Sequence, residues 1–435
     1  MKKTPLEDWI ITKAGIDGNR KALEEYQLKQ IKNTIEYARE NSSFYKSKLI
    51  NISTDKIRRI GDLHKVPFTM PEDIAGDPFK FLSIAYKNIK RIVSLNTSGT
   101  TGEGKRIFFS QEDLNSTIDF FEYGMKSLIK KDDRILVLLP GNSFGSIGDL
   151  LKKALKDCTK LCIVEGILKD IPRVIKIIEE EDINCIVGIP IQILYLSRME
   201  REIFKNRIEK VLLSTDYVPK VLVNEIERKC NCKVFDHYGM TEMAYGGGVQ
   251  CEALEGYHMR EVDLYFEIVN PTTGEIMPEG EYGEVVFTTL NRKAMPLIRY
   301  RTGDISAFIK KPCPCGSFLK SMEPLQGRIN NRILLKNSQY LYLRELDEIL
   351  LYYINILDYK VYIDSHDRLI LEIITMDIKR FNKVKDEIIN NLQKLLYPKI
   401  GHCMDIQFII NDDNGCLEIK NSMVKRQILD HRIGG

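Results

Sequence analysis

Between residues 134 and 239 the chain repeats one simple unit, a helix-length amphipathic stretch followed by a short apolar run. RILVLLP at 134–140 is followed by LKKALKD and KLCIVEG, then DIPRVIKIIEEE and INCIVGIP, QILYLSRMEREIF and KVLLST, VPKVLVNEIERK and CKVFDHYG. Two parallel strands cannot be joined by a tight turn, so each needs a crossover, and the intervening helices supply it. The alternation therefore predicts an α/β fold built on parallel sheets with crossover helices.

On either side of this stretch the pattern changes. Residues 19–50 place Leu23, Tyr26, Leu28, Ile31, Ile35 and Tyr37 at near-helical spacing among charged residues, which predicts one long helix. A Pro-containing connector, KVPFTMPEDIAGD, leads to RIVSL, a short strand. A helix follows over about 111–130. After residue 250 the runs YFEIVNPTTGE, GEVVFTTL and LIRYRTGD read as hairpin strands and predict a β-rich subdomain. At 435 residues the chain is too long for one core. A boundary near Gly327 divides it into a body, 1–327, and a small α+β module, 328–435. The module shows a helix at 344–353, paired strands around VYIDSHDRLILEI, a helix at 379–396 and a last strand, DIQFII.

Composition removes several function classes. Lys plus Arg number 64 against 61 Asp plus Glu, a net charge of +3, with no basic stripe, so nucleic acid is not an expected partner. An apolar content of 43% with 29% charged residues belongs to ordered globular chains. No apolar run approaches the roughly 18 residues of a membrane span, and the basic N-terminus lacks the apolar core of a secretory signal. Ten scattered cysteines form no disulfide framework, which fits a reducing cytoplasm.

Chemistry concentrates in TSGTTGEGK, 97–105. Its glycines allow close backbone approach to an anion, its hydroxyls add donors, and Lys105 can pair with phosphate. The segment 99–105 also fits the G-x-x-x-x-G-K half of a P-loop. However, Arg106 follows where Mg²⁺ needs Ser or Thr, and RIFFS reads as a strand where a P-loop opens a helix. A plain surface loop is the remaining bland reading. A second candidate is metal-binding: Cys313 and Cys315 form C-x-C, Cys251 and His258 form C-x₆-H, and together they make a Cys₃His set suited to structural zinc. Buried free thiols are the alternative. Cys230 and Cys232 form another C-x-C, read as strand-edge residues.

TSGTTGEGK resembles the phosphate loop of the adenylate-forming superfamily, and three more segments follow in that superfamily's order: HYGMTE (237–242), YRTGD (300–304) and GRINN (327–331). Within it the chain most resembles the phenylacetate–CoA ligase group, through QIKNTIEYARENSSFYKSKL, GEVVFTTLNRKAMPLIRYRTGD and KKPCPCGS, some members of which bind zinc at the Cys/His pattern. The resemblance implies a large adenylation body and a small mobile C-terminal domain. It also implies activation of a small carboxylic acid by ATP and Mg²⁺ through an acyl-AMP, then thioester formation with CoA.

Carried over residue by residue, the resemblance gives Thr97, Ser98, Gly99, Thr100, Thr101 and Gly102 to the phosphates. Tyr238 and Gly239 lie by the adenine, and Thr241 reaches the α-phosphate. Glu242 holds Mg²⁺, with Lys105 beside it. Asp304 binds the ribose, Arg328 reaches the nucleotide and Asn330 is the hinge. Phe144, Gly145, Ala244 and Tyr245 line the acid pocket, and related ligases suggest a homodimer. Two departures stand in the small module. The family's C-terminal Lys falls on Met423, with Lys420 and Lys425 nearby, and Asn337 takes the place of a glycine expected to line the pantetheine path. Losing one charge-assisted contact costs about 1.5–3 kcal/mol. These departures motivate two alternatives: transfer to a carrier protein or an amine, and a nucleotide-binding homologue without chemistry.

Overall fold

The computed structural model describes residues 3–95, 104–335, 337–412 and 426–432. Thr97, Ser98, Gly99, Thr100, Thr101 and Gly102 lie outside the described residues, as do Lys420, Met423 and Lys425. The chain divides into two compact units.

One unit comprises residues up to 133, 140–166 and 235–324. It opens with a helix, Pro5–Ala14, that sequence periodicity did not single out; Thr4 caps it and Gly15 ends it in the left-handed region. The helix expected over 19–50 is two helices, Arg20–Asn41 and Ser43–Lys48. Ser42 is the break: its backbone is extended, and its hydroxyl oxygen accepts from Tyr45 N, so the first helix stops where the second is capped. Thr34 and Gln27 donate from the long helix to the carbonyls of Leu290 and Glu261, tying it to the β-rich part.

RIVSL and the run after the Gly-rich loop are an antiparallel hairpin, Arg91–Leu95 with Lys105–Phe109. Lys105 thus begins a strand, the feature that argued against a P-loop. The hairpin strands expected after residue 250 form an antiparallel sheet of Leu264–Val269, Gly283–Thr289 and Tyr300–Ser306. The end of Lys233–Tyr238 pairs antiparallel with Gly248–Gln250, then Tyr257–Met259, then Ser321–Met322.

The other unit holds residues 134–139, 167–234 and 325 onward. Here the parallel strands expected from the alternation are present, Arg134–Leu138 beside Cys185–Gly188 beside Lys210–Leu213, all wholly or largely buried. Their crossover helices include Ile171–Glu180 and Lys220–Cys230. The helix expected over 192–204 breaks at Glu200 into Pro190–Met199 and Arg201–Arg207. In the C-terminal part four strands run in the order Ile406–Asp412, Leu369–Thr375, Ile356–Ile363, Ile428–Asp430. They pack with helices Leu343–Leu350 and Ile378–Ile400.

Two reciprocal caps join these parts. Arg198 pairs with Glu225 and donates to the carbonyls of Leu351, Tyr353 and Ile356. Glu348 accepts from Lys220 N at 2.7 Å and Val221 N at 3.0 Å, satisfying orphan donors at a helix start. No helix among the described residues is long and apolar enough to cross a membrane.

Candidate active site

In the first unit, three polar side chains from distant segments converge. Lys105 stands at the start of its strand, Glu242 in the short helical turn Thr241–Met243, and Tyr300 at the start of its strand. Lys105 Nζ lies 2.5 Å from Glu242 Oε1 and 3.2 Å from the Tyr300 hydroxyl, which itself donates to Glu242 Oε1 at 3.0 Å. Glu242 is only 2% exposed. Burial pushes its carboxyl pKa up, but the Lys105 charge and the bonds from Lys105 and Tyr300 outweigh that and hold it below the ordinary value. The result is an ionised, buried carboxylate, the hard-oxygen donor that Mg²⁺ prefers.

Backbone geometry presents this carboxylate. After Glu242 the chain makes two consecutive left-handed residues, Ala244 (φ 55°) and Tyr245 (φ 67°). Ala244 N and Tyr245 N donate back to Thr241 O and Met240 O, and Thr117 Oγ1 donates to Ala244 O at 3.0 Å. Gly239 fits against this turn only because it lacks a side chain: a Cβ there would sit 2.0 Å from Tyr245 O. Arg292 donates to the Glu242 carbonyl and to Phe108 O, locking the turn to the hairpin.

Beside this centre, Tyr238 donates its hydroxyl to Asp304 Oδ2 at 3.0 Å. Asp304 is fixed from its own side, since its N–H donates to Thr302 Oγ1. A tyrosine ring and a carboxylate held together in this way could face a nucleoside's base and ribose. Thr241, adjoining Glu242, is partly exposed.

Of the residues expected in the acid pocket, Ala244 and Tyr245 occupy the turn just described. Phe144 is 52% exposed, and Gly145 has φ 69° with its N–H on Asp149 Oδ2 at 2.7 Å. Arg328 and Asn330 belong to the other unit, in a turn closed by Asn331 N on Arg328 O at 3.1 Å, with Asn330 exposed.

Sequence reasoning missed three contributors. Tyr300 opens the YRTGD segment, and its place beside Asp304 in that motif was the one signal that could have found it. Arg292 binds carbonyls, which leave no trace in sequence. Arg299 supports Tyr300 through a buried ion pair with Glu267.

The cysteine and histidine set also converges. The ligand atoms of Cys251, His258, Cys313 and Cys315 all lie within 4.8 Å of one another. Cys251 Sγ and Cys313 Sγ are 3.6 Å apart, and His258 Nε2 and Cys315 Sγ 3.2 Å. A tetrahedral zinc with Zn–S near 2.3 Å puts its sulfurs about 3.8 Å apart, so the spacing fits. Ser321 pairs with His258 across the strands and brings its hydroxyl 3.4 Å from the other ring nitrogen, as an outer-shell partner would.

Residues 92–291 match the AMP-binding enzyme family. The phenylacetate–coenzyme A ligase of Thermus thermophilus is 27% identical over 335 residues, 73% of each chain. That of Escherichia coli is 26% identical over 327 residues, 72% of this chain and 73% of that one. A solved 2-hydroxyisobutyryl-CoA ligase in its postadenylation state superposes with a TM-score of 0.80 at 18% identity, over 94% of this chain and 90% of that one. An anthranilate CoA ligase with anthranoyl-AMP superposes with a TM-score of 0.52 at 14% identity, over 74% and 63%. The fold is that of the adenylate-forming enzymes. The chain carries an AMP-binding enzyme segment and is similar to phenylacetate–CoA ligases over about 73% of its length.

Proposed function

We propose that this chain is an AMP-forming carboxylate–CoA ligase with an aryl-acid-like substrate. The observation that carries the reading is the buried Lys105–Glu242–Tyr300 cluster, set beside Tyr238–Asp304 within a chain that resembles phenylacetate–CoA ligases. In the first half-reaction a carboxylate oxygen bonds to the α-phosphorus of ATP, and the bond to the β-phosphate bridge breaks, releasing pyrophosphate. In the second, the CoA thiol gives up its proton to solvent and its sulfur bonds to the acyl carbon, expelling AMP.

Each residue has a task in this scheme. Glu242 would hold Mg²⁺, which screens phosphate charge when bound. Lys105 and Thr241 steady the α-phosphate, with backbone and hydroxyl donors of residues 97–102. Tyr238 lies along the adenine, with Gly239 leaving room for the turn, and Asp304 accepts from the ribose hydroxyls. All of this is charge arranged before the reaction begins, which commonly contributes more to the rate than any other effect. We place the division between body and small domain at residue 327. The exposed turn at Asn330 would be the pivot between half-reactions, and Arg328 beside it would reach the nucleotide. ATP and CoA as substrates, with no disulfide among the described residues, fit a cytoplasmic setting.

Incubation with ATP, Mg²⁺, CoA and a panel of aryl and aliphatic acids tests the reading. Acid-dependent AMP and acyl-CoA should appear together. AMP without acyl-CoA would favour transfer to a carrier protein or an amine, the reading that the altered module motivates. No AMP with any acid would leave a nucleotide-binding homologue.

The Cys251–His258–Cys313–Cys315 set would hold zinc as a staple, since four protein ligands leave no open position. Purified protein is expected to contain about one zinc per chain. Cys313→Ser should lose it and unfold at lower urea, by roughly 2–5 kcal/mol on the scale of other structural cross-links. Protein free of zinc with titratable thiols at these cysteines would assign them as free.

A further inference from the structure

Arg91 is a cation without a counter-charge among the described residues, beside the segments expected to line the acid pocket. It lies opposite Phe109 in the Arg91–Leu95 and Lys105–Phe109 hairpin. The Phe109 ring stacks on Tyr245, centroids 5.5 Å apart and 7° from parallel, and burial pushes the Tyr245 phenol pKa up while the Arg91 charge works against it. On its other side Arg91 donates to Ser143 Oγ at 3.1 Å and Phe144 O at 2.8 Å. Its stem lies so close to Gly145 that a Cβ there would meet Arg91 Cγ and Cδ at 3.5 Å. One guanidinium therefore touches the segments of Phe144, Gly145 and Tyr245.

Those contacts solvate the guanidinium without neutralising it. Neutral oxygens take two hydrogen bonds, Nε is buried with no partner, and no carboxylate among the described residues pairs with Arg91. A half-buried, uncompensated guanidinium is costly to keep. Its planar fork is shaped for a carboxylate. Tyr245 adds a second anomaly, a bulky residue held at φ 67°. Such strain concentrates where ligands are gripped. The cluster also joins the reaction centre, because Arg292 lies 4.8 Å over the Phe109 ring while donating to the Glu242 carbonyl.

We propose that Arg91 and Tyr245 form the far end of the acid pocket and select a substrate that carries a second anionic oxygen group, a dicarboxylic acid in the simplest case. This rests on the ligase reading above: one carboxylate reacts at the Glu242 centre while the other is held by Arg91.

Matched acids that differ only by a methyl or a carboxyl at the far end provide the test: valerate against glutarate, and 4-methylphenylacetate against 4-carboxyphenylacetate. The readout is the kcat/KM of ATP–pyrophosphate exchange, taken as a ratio of diacid to monoacid within each protein. A charge-assisted contact of about 1.5–3 kcal/mol predicts a ratio of roughly 10–150 in the native protein. Arg91→Met should collapse that ratio, chiefly through KM of the diacid, and Arg91→Lys should give an intermediate value. Exchange that favours the monoacids in the native protein, or a ratio unmoved in both variants, overturns the inference and leaves Arg91 as an anchor of the 143–145 segment. Exchange with no acid at all removes the ligase reading and this one with it.

Discussion

Glu242→Gln is expected to lower acid-dependent ATP–pyrophosphate exchange by about 10²–10³-fold, the scale seen when one preorganised electrostatic contact is lost. Glutamine keeps the size of the side chain and can still accept from the Tyr300 hydroxyl and Lys105, which reach Glu242 at 3.0 and 2.5 Å. What it removes is the negative charge. The Lys105 ammonium then lacks its partner, and a hard dication loses its anionic oxygen. The Mg²⁺ concentration needed for half-maximal exchange should rise in parallel. Exchange within about threefold of the native rate would place the metal elsewhere.

The pH dependence has a definite sign. The Glu242 carboxyl is held below its ordinary value of 4.5, mostly by Lys105 working against burial. The ion pair's contribution to stability is therefore fully present above the ordinary carboxylate range. It is lost only as pH falls below that range.

Arg299→Met should produce the largest loss of stability, about 3–5 kcal/mol, the usual consequence of stranding one buried charge. Arg299 makes two 3.0 Å bonds to Glu267, and the side chains are 2% and 1% exposed. The same guanidinium donates to His64 O and Val66 O and lies 4.0 Å over the Phe68 ring. Methionine leaves Glu267 and two carbonyls without their donor. Burial already pushes the Glu267 carboxyl up despite Arg299, so its environment has little else to offer a charge.

The effect reaches the site because Arg299 is held at φ 47° immediately before Tyr300. Releasing it frees the start of the strand that aims Tyr300 at Glu242. A lower urea midpoint together with reduced kcat is expected. Adding Glu267→Met should recover much of the stability, since a buried pair can often be replaced by apolar residues at little cost. An unchanged midpoint in Arg299→Met would mean that the pair contributes nothing.

The strands and crossover helices of residues 134–239 were legible because burial imposes a period on the sequence. Breaks within helices were not. Residues 19–50 keep their apolar spacing through Ser42, and only the Ser42 cap on Tyr45 shows that the axis changes. In the site, Lys105, Tyr238, Glu242 and Asp304 could be picked out because each stands in a short segment that resembles a motif of the adenylate-forming superfamily.

Arg292 and Arg299 could not be picked out. Their partners are mainly backbone carbonyls or a residue 32 positions away, so their importance exists only once the chain is folded. Arg91 belongs with them, a strand residue whose meaning comes from the 143–145 segment and Tyr245. The cysteine and histidine set was legible from two spacings, but only folding brings residues 251–258 and 313–315 together.

The central claim is that a substrate carboxylate attacks the α-phosphate of ATP in the Lys105–Glu242 centre before CoA takes the acyl group. Isotope transfer tests it most directly. An active acid labelled with ¹⁸O in its carboxyl group is incubated with ATP, Mg²⁺ and CoA, and the AMP is weighed by mass spectrometry. The expected product is AMP carrying one ¹⁸O, the bridging oxygen of the mixed anhydride, formed in step with acyl-CoA. Unlabelled AMP, or ADP with the label in inorganic phosphate, would contradict it.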